Sequence, residues 1–285
     1  MHLFGVEPAT VKGKTPRNKQ SRILCEDRVG LPKSILNKHN KVHIMVDYMF
    51  VQGIQFLTTI SHKLKFRTAE ALPYASKRGA KKEFILSGLM KVIKLYQARG
   101  LTVEQVHGDN EFECIREDIR QVLLNVSAAD EHVSMIERSI RTIKDRTRSQ
   151  VQYLQYAKYP RNMIIGCVVF VIKALNQEIG MSALSNKYSP NTLVTGQSQR
   201  QYKDIMSLSY GEYAEIYSAN QVTNNNKERT IGAIALYPSG NDQNGWMFMS
   251  LSTGRLLHRH QWKRIYINQG IIDRVNNMLE KEKQG

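Results

Sequence analysis

Three carboxylates stand, in order, where the chain changes from one kind of element to another. Asp47 closes the apolar run from Val42, and Asp109 closes the run from Val103. Glu137 lies near the start of a long helical pattern that opens at about residue 132. Two strand-end aspartates and one helix glutamate are the residue types that clamp divalent metal against phosphate. Three such groups can share two Mg²⁺ ions roughly 3.5–4 Å apart, one sharpening a water or 3′-hydroxyl and the other stabilising the leaving oxygen. Magnesium accepts a few carboxylates and keeps positions for phosphate oxygens. Each acid also has a plain alternative. Asp109-Asn110 can begin a turn, and Glu137 can pair with Arg141 one helical turn on. Asp47, flanked by Val46, Met49, Phe50 and Val51, is poorly placed for mere solubility.

The third acid heads a cationic stripe. Glu137, Arg141, Lys144 and Arg148 recur at intervals of 4, 3 and 4, so they share one helical face. With Arg138, these cations suit a DNA backbone held beside the metal; the alternative is a solvated amphipathic face. Net charge is +16 over 285 residues, a balance that favours a polyanionic partner, nucleic acid first. Residues 1–43 carry nine Lys or Arg against three acids, and residues 138–148 carry five against one.

Other classes find little support. The most apolar stretch, 163–172, is too short to cross a bilayer and reads as a buried helix. The N-terminus lacks a secretory layout. Cys25, Cys114 and Cys167 lie far apart and suit a reducing compartment. His39 and His43 stand four apart, but no cysteine pair completes a zinc site.

The elements that must position the acids follow from periodicity. Residues 1–40, with three prolines and scattered lysines, read as a basic arm or linker. Strands are expected over 42–50, 54–61 and 64–73, the first two joined tightly at Gln52-Gly53. Helices are expected over 79–98 and 114–124, with a short strand at 103–107 and another near 125–127. The long helix spans about 132–157, its core stripe Ile136, Ile140, Ile143, Thr147, Val151 and Leu154. A further helix runs from Pro160 to about Asn176, and 186–199 reads as a loop. This order gives an α/β core with a mixed sheet, helices on both faces, and the ends of the first and fourth strands side by side. From Tyr210 short strands at 211–217, 230–237, 246–251 and 256–266 suggest a small β-barrel, and 270–283 a terminal helix.

At these residues the chain resembles the integrases of long-terminal-repeat retrotransposons, most closely the Ty1/copia group. The likeness runs through Val46-Asp47 and Phe50-Val51-Gln52-Gly53, the segment Asp109 to Glu113, and Glu137-Arg138 with Arg141-Thr142. It continues through Ser189 to Gly196 and through Gly232 to Arg255, so it covers roughly 42–266. The interval from Asp109 to Glu137 is shorter than many members show, and the family's zinc-binding N-terminal module is not visible.

The resemblance implies a ribonuclease-H-like five-stranded core over 41–158, a helical extension over 159–205, an SH3-like barrel over 206–268 and a tail over 269–285. It implies Asp47, Asp109 and Glu137 as catalytic ligands of two Mg²⁺ or Mn²⁺ ions. It further implies 3′-end processing of element DNA, its joining to double-stranded target DNA, assembly into homo-multimers on DNA ends, and a nuclear site of action after a cytoplasmic particle stage. On that reading the chain is a fragment of a polyprotein or an eroded copy. In the barrel, Arg259, Lys263 and Arg264 are candidate DNA contacts; an edge strand kept soluble by charge is the alternative. Two other functions stay open: an inactive DNA-binding relict, and a hydrolytic nuclease on the same core.

Overall fold

The computed structural model describes residues 8–14, 28–73, 82–126, 134–180, 184–197, 206–218, 226–241 and 244–284. The chain divides into two compact bodies. One comprises Cys25–Arg148 and Val171–Gln201; the other comprises Met1–Leu24, Ser149–Phe170 and Tyr202–Gly285. Along the chain the helices are α1 Pro8–Lys14, α2 Lys33–His39, α3 Lys82–Gln97, α4 Ser134–Gln152, α5 Arg161–Gln177, α6 Pro190–Thr195 and α7 Gln269–Gln284.

The first body is built on β1 Lys41–Val51, β2 Ile54–Ser61, β3 Arg67–Ala71, β4 Thr102–Gly108 and β5 Leu123–Val126. They form a five-stranded sheet in the order β3-β2-β1-β4-β5. β1–β2 and β2–β3 are antiparallel, whereas β1–β4 and β4–β5 are parallel. The hairpin between β1 and β2 turns on Gln52 (φ 47°) and Gly53 (φ 77°). Two successive positive φ values match the right-handed strand twist, and Val51 pairs with Ile54.

The two faces of β1 bury different partners. Ile44 and Val46 join Leu57, Val106, Leu89, Ile93 and Tyr96 in one core cluster, against α3. Met45, from the alternate set, packs with Ile60 and with Ile136 of α4. Because helices cover both faces, β2 is buried nearly end to end, Thr58 and Thr59 included.

Several expectations are refined. The helix expected over 114–124 is a 3₁₀ helix over Asn110–Ile115, followed by turns and β5. It buries Phe112 and Ile115, which stand three apart and so share one face. The loop at 186–199 contains α6, whose N-cap Ser189 accepts from the Thr192 amide and whose C-cap Gly196 has φ 79°. Residues 1–40 hold α1 and α2.

The second body carries β6 Tyr213–Tyr217, β7 Thr230–Pro238, β8 Trp246–Ser250, β9 Leu256–Arg259 and β10 Trp262–Arg264. All neighbours are antiparallel in the order β10-β6-β7-β8-β9, so the last strand returns to pair with the first, as in an SH3-like barrel. Ala214, Ile216, Ala233, Ala235, Trp246 and Phe248 form its centre. The single strand expected over 256–266 breaks at His260 to make β9 and β10. Among the described residues no helix is long and apolar enough to cross a membrane. Cys114 is exposed and Cys167 buried; Cys25 lies outside the described residues.

Candidate active site

The register of β1 against β4 sets the geometry. Met45 lies opposite His107 in parallel pairing, and Asp47 and Asp109 each stand two residues further on. Two residues along a strand returns to the same face. Asp109 therefore stands just past the carboxyl end of β4, and Asp47 lies within β1, two residues beyond its last pairing with β4, near the edge where ligands of open α/β sheets bind. Met45 shares the Asp47 face, and its contact with Ile136 lays the first turns of α4 over it. Glu137 follows Ile136 directly and is exposed.

Local packing fixes the second aspartate. Gly108 ends β4 in a space too narrow for a side chain: an added Cβ would lie 2.7 Å from the Phe112 ring and 3.1 Å from Val46 Cγ1. That approach lets Phe112 fold inward and stack on Tyr48, ring centroids 4.9 Å apart. Asp109 then caps the 3₁₀ turn, Oδ1 accepting from the Glu111 amide at 3.0 Å. The turn anticipated for Asp109 thus exists. It orients the carboxylate without excluding a second role, since a carboxylate can accept about four hydrogen bonds or ligands. Asp47 Oδ1 accepts from the Tyr48 amide at 2.6 Å.

Electrostatics report which acids converge. The Asp47 carboxyl is raised above its ordinary value, first by burial and then by repulsion from Asp109, Glu137 and Glu111, against the lowering effect of the Tyr48 amide. The Tyr48 hydroxyl is also raised, by burial and then by Glu111, Cys114, Asp109 and Asp47. Asp47 therefore senses both other members of the predicted triad. It also senses Glu111, an acid that sequence reasoning passed over although it lies two residues after Asp109. The all-oxygen donor set fits a hard divalent cation. The side chains are not closed around one point, because among the described residues no three acidic, His or Cys groups stand within joint reach of an ion.

The basic residues separate into groups. On α4, Arg141 and Arg148 are exposed and Lys144 is half-buried, along the Glu137 face. Arg148 is engaged by Asp145 and by the Lys144 carbonyl. Arg138 lines a cavity on another side of the helix. In the second body, Arg259 donates to the Tyr217 and His258 carbonyls, and Arg264 pairs with Glu212 at 3.1 Å and donates to the Ser207 carbonyl. Lys263 is exposed.

The first body has the ribonuclease-H-like fold. That assignment rests on strand order and direction, with three antiparallel strands, two parallel ones, and helices on both faces. No protein-family model matches the chain, and no curated protein matches it in sequence. Among solved structures, the catalytic core domain of BIV integrase is similar over 56% of this chain and 97% of that one, with 14% identity and a TM-score of 0.37.

Two outcomes follow from this geometry. Asp47→Asn removes a carboxylate whose ionisation the folded state opposes. A raised folded-state pKa costs stability once pH rises above the unfolded value of 3.8, and the cost is complete above the raised value. In metal-free buffer the variant should therefore melt above the wild type at pH 7 and match it below about pH 3.5, where both carboxyls are protonated. Gly108→Ala should lower stability by about 1–3 kcal/mol through overpacking against Phe112 and Val46, read by denaturant unfolding.

Proposed function

We propose that this chain is a metal-dependent polynucleotidyl transferase of the integrase type, which trims and joins DNA 3′ ends. The observation that carries the proposal is the parallel register that sets Asp47 of β1 and Asp109 after β4 on one face, with the first turns of α4, which bear Glu137, packed over that face. Acids gathered on one face are costly unless a cation neutralises them. Asp47, Asp109 and Glu137 would hold Mg²⁺ or Mn²⁺, which when bound supplies activation of a nucleophilic oxygen and stabilisation of a leaving one.

The chain's own residues do the rest. The Tyr48 amide and the Glu111 amide orient the two aspartates. Arg141 and Lys144, on the Glu137 face, would seat the phosphodiester backbone against them, and the net charge of +16 would speed encounter with DNA. The order of acids and the segments around them favour the Ty1/copia type, and the SH3-like barrel would add DNA or protein contacts. A homo-multimer on DNA ends belongs to the same reading.

A second reading is favoured by one observation: the three acids are not within joint reach of an ion. This suits a relict that keeps the fold and binds DNA without joining it.

Joining of labelled duplexes with recessed 3′-hydroxyl ends into plasmid DNA, in Mg²⁺ and in Mn²⁺, decides between them. Under the leading proposal wild type yields joined product, and Asp109→Asn lowers the rate at least about a thousandfold, the equivalent of about 4 kcal/mol, while duplex binding persists. Binding without joining in either metal would establish the relict. Cut but unjoined products would establish a nuclease.

A further inference from the structure

A cavity of about 370 Å³ opens in the first body, lined by Lys65, Arg67, Arg138, Arg146, Ser139 and Glu178 among others. Four cations meet one carboxylate there. Arg146 is paired with that carboxylate, Glu178, at 2.9 Å. Among the described residues, Lys65, Arg67 and Arg138 have no ion-pair partner. Glu178 also bears on Arg67, but one carboxylate does not offset four cations gathered around one concave wall, where like charges repel unless an anion is bound.

The cations are held there by specific contacts. Arg67 begins β3, and both its backbone groups are bound by one side chain: its amide donates to Asn176 Oδ1 at 2.8 Å, and its carbonyl accepts from Asn176 Nδ2 at 2.8 Å. Its guanidinium donates to Ser139 Oγ at 3.1 Å and to the Lys65 carbonyl at 3.2 Å. Those bonds engage Nε and one Nη1 hydrogen of a group with five N–H donors. Lys65 has φ 57°, a left-handed conformation that costs a non-glycine residue about 1–2 kcal/mol. Burial and the neighbouring cations Arg67 and Arg138 also lower its ammonium.

The cavity is distinct from the acidic face. At roughly 100° per residue along a helix, Arg138, Thr142 and Arg146 fall about 100–180° away from Glu137. They flank the buried Ile136–Ile143 stripe on the side opposite Arg141 and Lys144. A volume of about 370 Å³ lies at the lower end of ligand clefts, about 300–1,000 Å³.

We propose that this cavity is a phosphate-binding site, in which Lys65, Arg67 and Arg138 converge on one phosphoryl group remote from the carboxylates. The guanidinium hydrogens left over on Arg67 and Arg138 supply the planar donors that phosphate oxygens match. A phosphate of the DNA backbone and a small phosphorylated solute share this chemistry.

Inorganic pyrophosphate, titrated calorimetrically into the full chain in EDTA at fixed ionic strength, tests the proposal. Wild type should bind it, and the double variant Lys65→Gln/Arg138→Gln, whose side chains leave the Asn176 contacts intact, should lose about tenfold or more in affinity. Asp109→Asn should bind pyrophosphate as wild type does, so the outcome is independent of the joining assay. Displacement of pyrophosphate by a short duplex identifies the DNA backbone as the source; duplex binding without displacement identifies a soluble phosphate. Absence of pyrophosphate binding by wild type, or equal binding by the double variant at an unchanged melting temperature, would overturn the proposal.

Discussion

The parallel pairing of β1 with β4 is the constraint on which the candidate site depends. It sets Met45 beside His107 and so carries Asp47 and Asp109 out of the sheet on one face, at one end. Were β4 antiparallel to β1, Asp109 would emerge at the opposite end, and no helix placement could reunite the pair. β1 is the strand at which the sheet changes from antiparallel to parallel. Its two faces are held by different helices, α3 through Ile44 and Val46, and α4 through Met45. A slip of one residue would move Asp47 into the α3 core, so burial of both faces fixes the register of the acids.

The same constraint explains why the site is electrostatically uncomfortable. Burial raises Asp47 and the neighbouring acids raise it further. The Tyr48 and Glu111 amides offset part of this by donating to the aspartates. Gly108, by admitting the Phe112 ring, keeps the cap of the 3₁₀ turn under the carboxylate. Under the proposed function, stability and activity are opposed at Asp47. The cationic cavity beside Arg67 is the mirror case, in which four positive charges face a single carboxylate, Glu178.

Much of this was legible in the sequence. The apolar run from Val42 and the valines at 103 and 106 marked β1 and β4, Gln52-Gly53 the hairpin, and the 4-3-4 spacing the Glu137 face. The helix expected over 114–124 is not formed, because beyond the 3₁₀ helix at Asn110–Ile115 the chain turns into β5. Ser189-Pro190 and Gly196 were the caps of α6, hidden by the shortness of the helix. Glu111 lies inside the Asp109–Glu113 segment with nothing in its spacing to mark it, since only the fold brings its charge to bear on Asp47. Lys65, Arg67 and Ser139 carried no local signal at all: they meet only because the β2–β3 turn, α4 and α5 converge, a contact between residues up to 109 positions apart.

The central claim is that Asp47, Asp109 and Glu137 form one cation site. A crystal soaked in Mn²⁺ and measured at the manganese edge tests it most directly. Anomalous peaks are expected within coordination distance of all three carboxylates, with their loss or weakening in Glu137→Gln crystals. Anomalous density that is absent from this face, or that contacts the aspartates identically with and without Glu137, would contradict it.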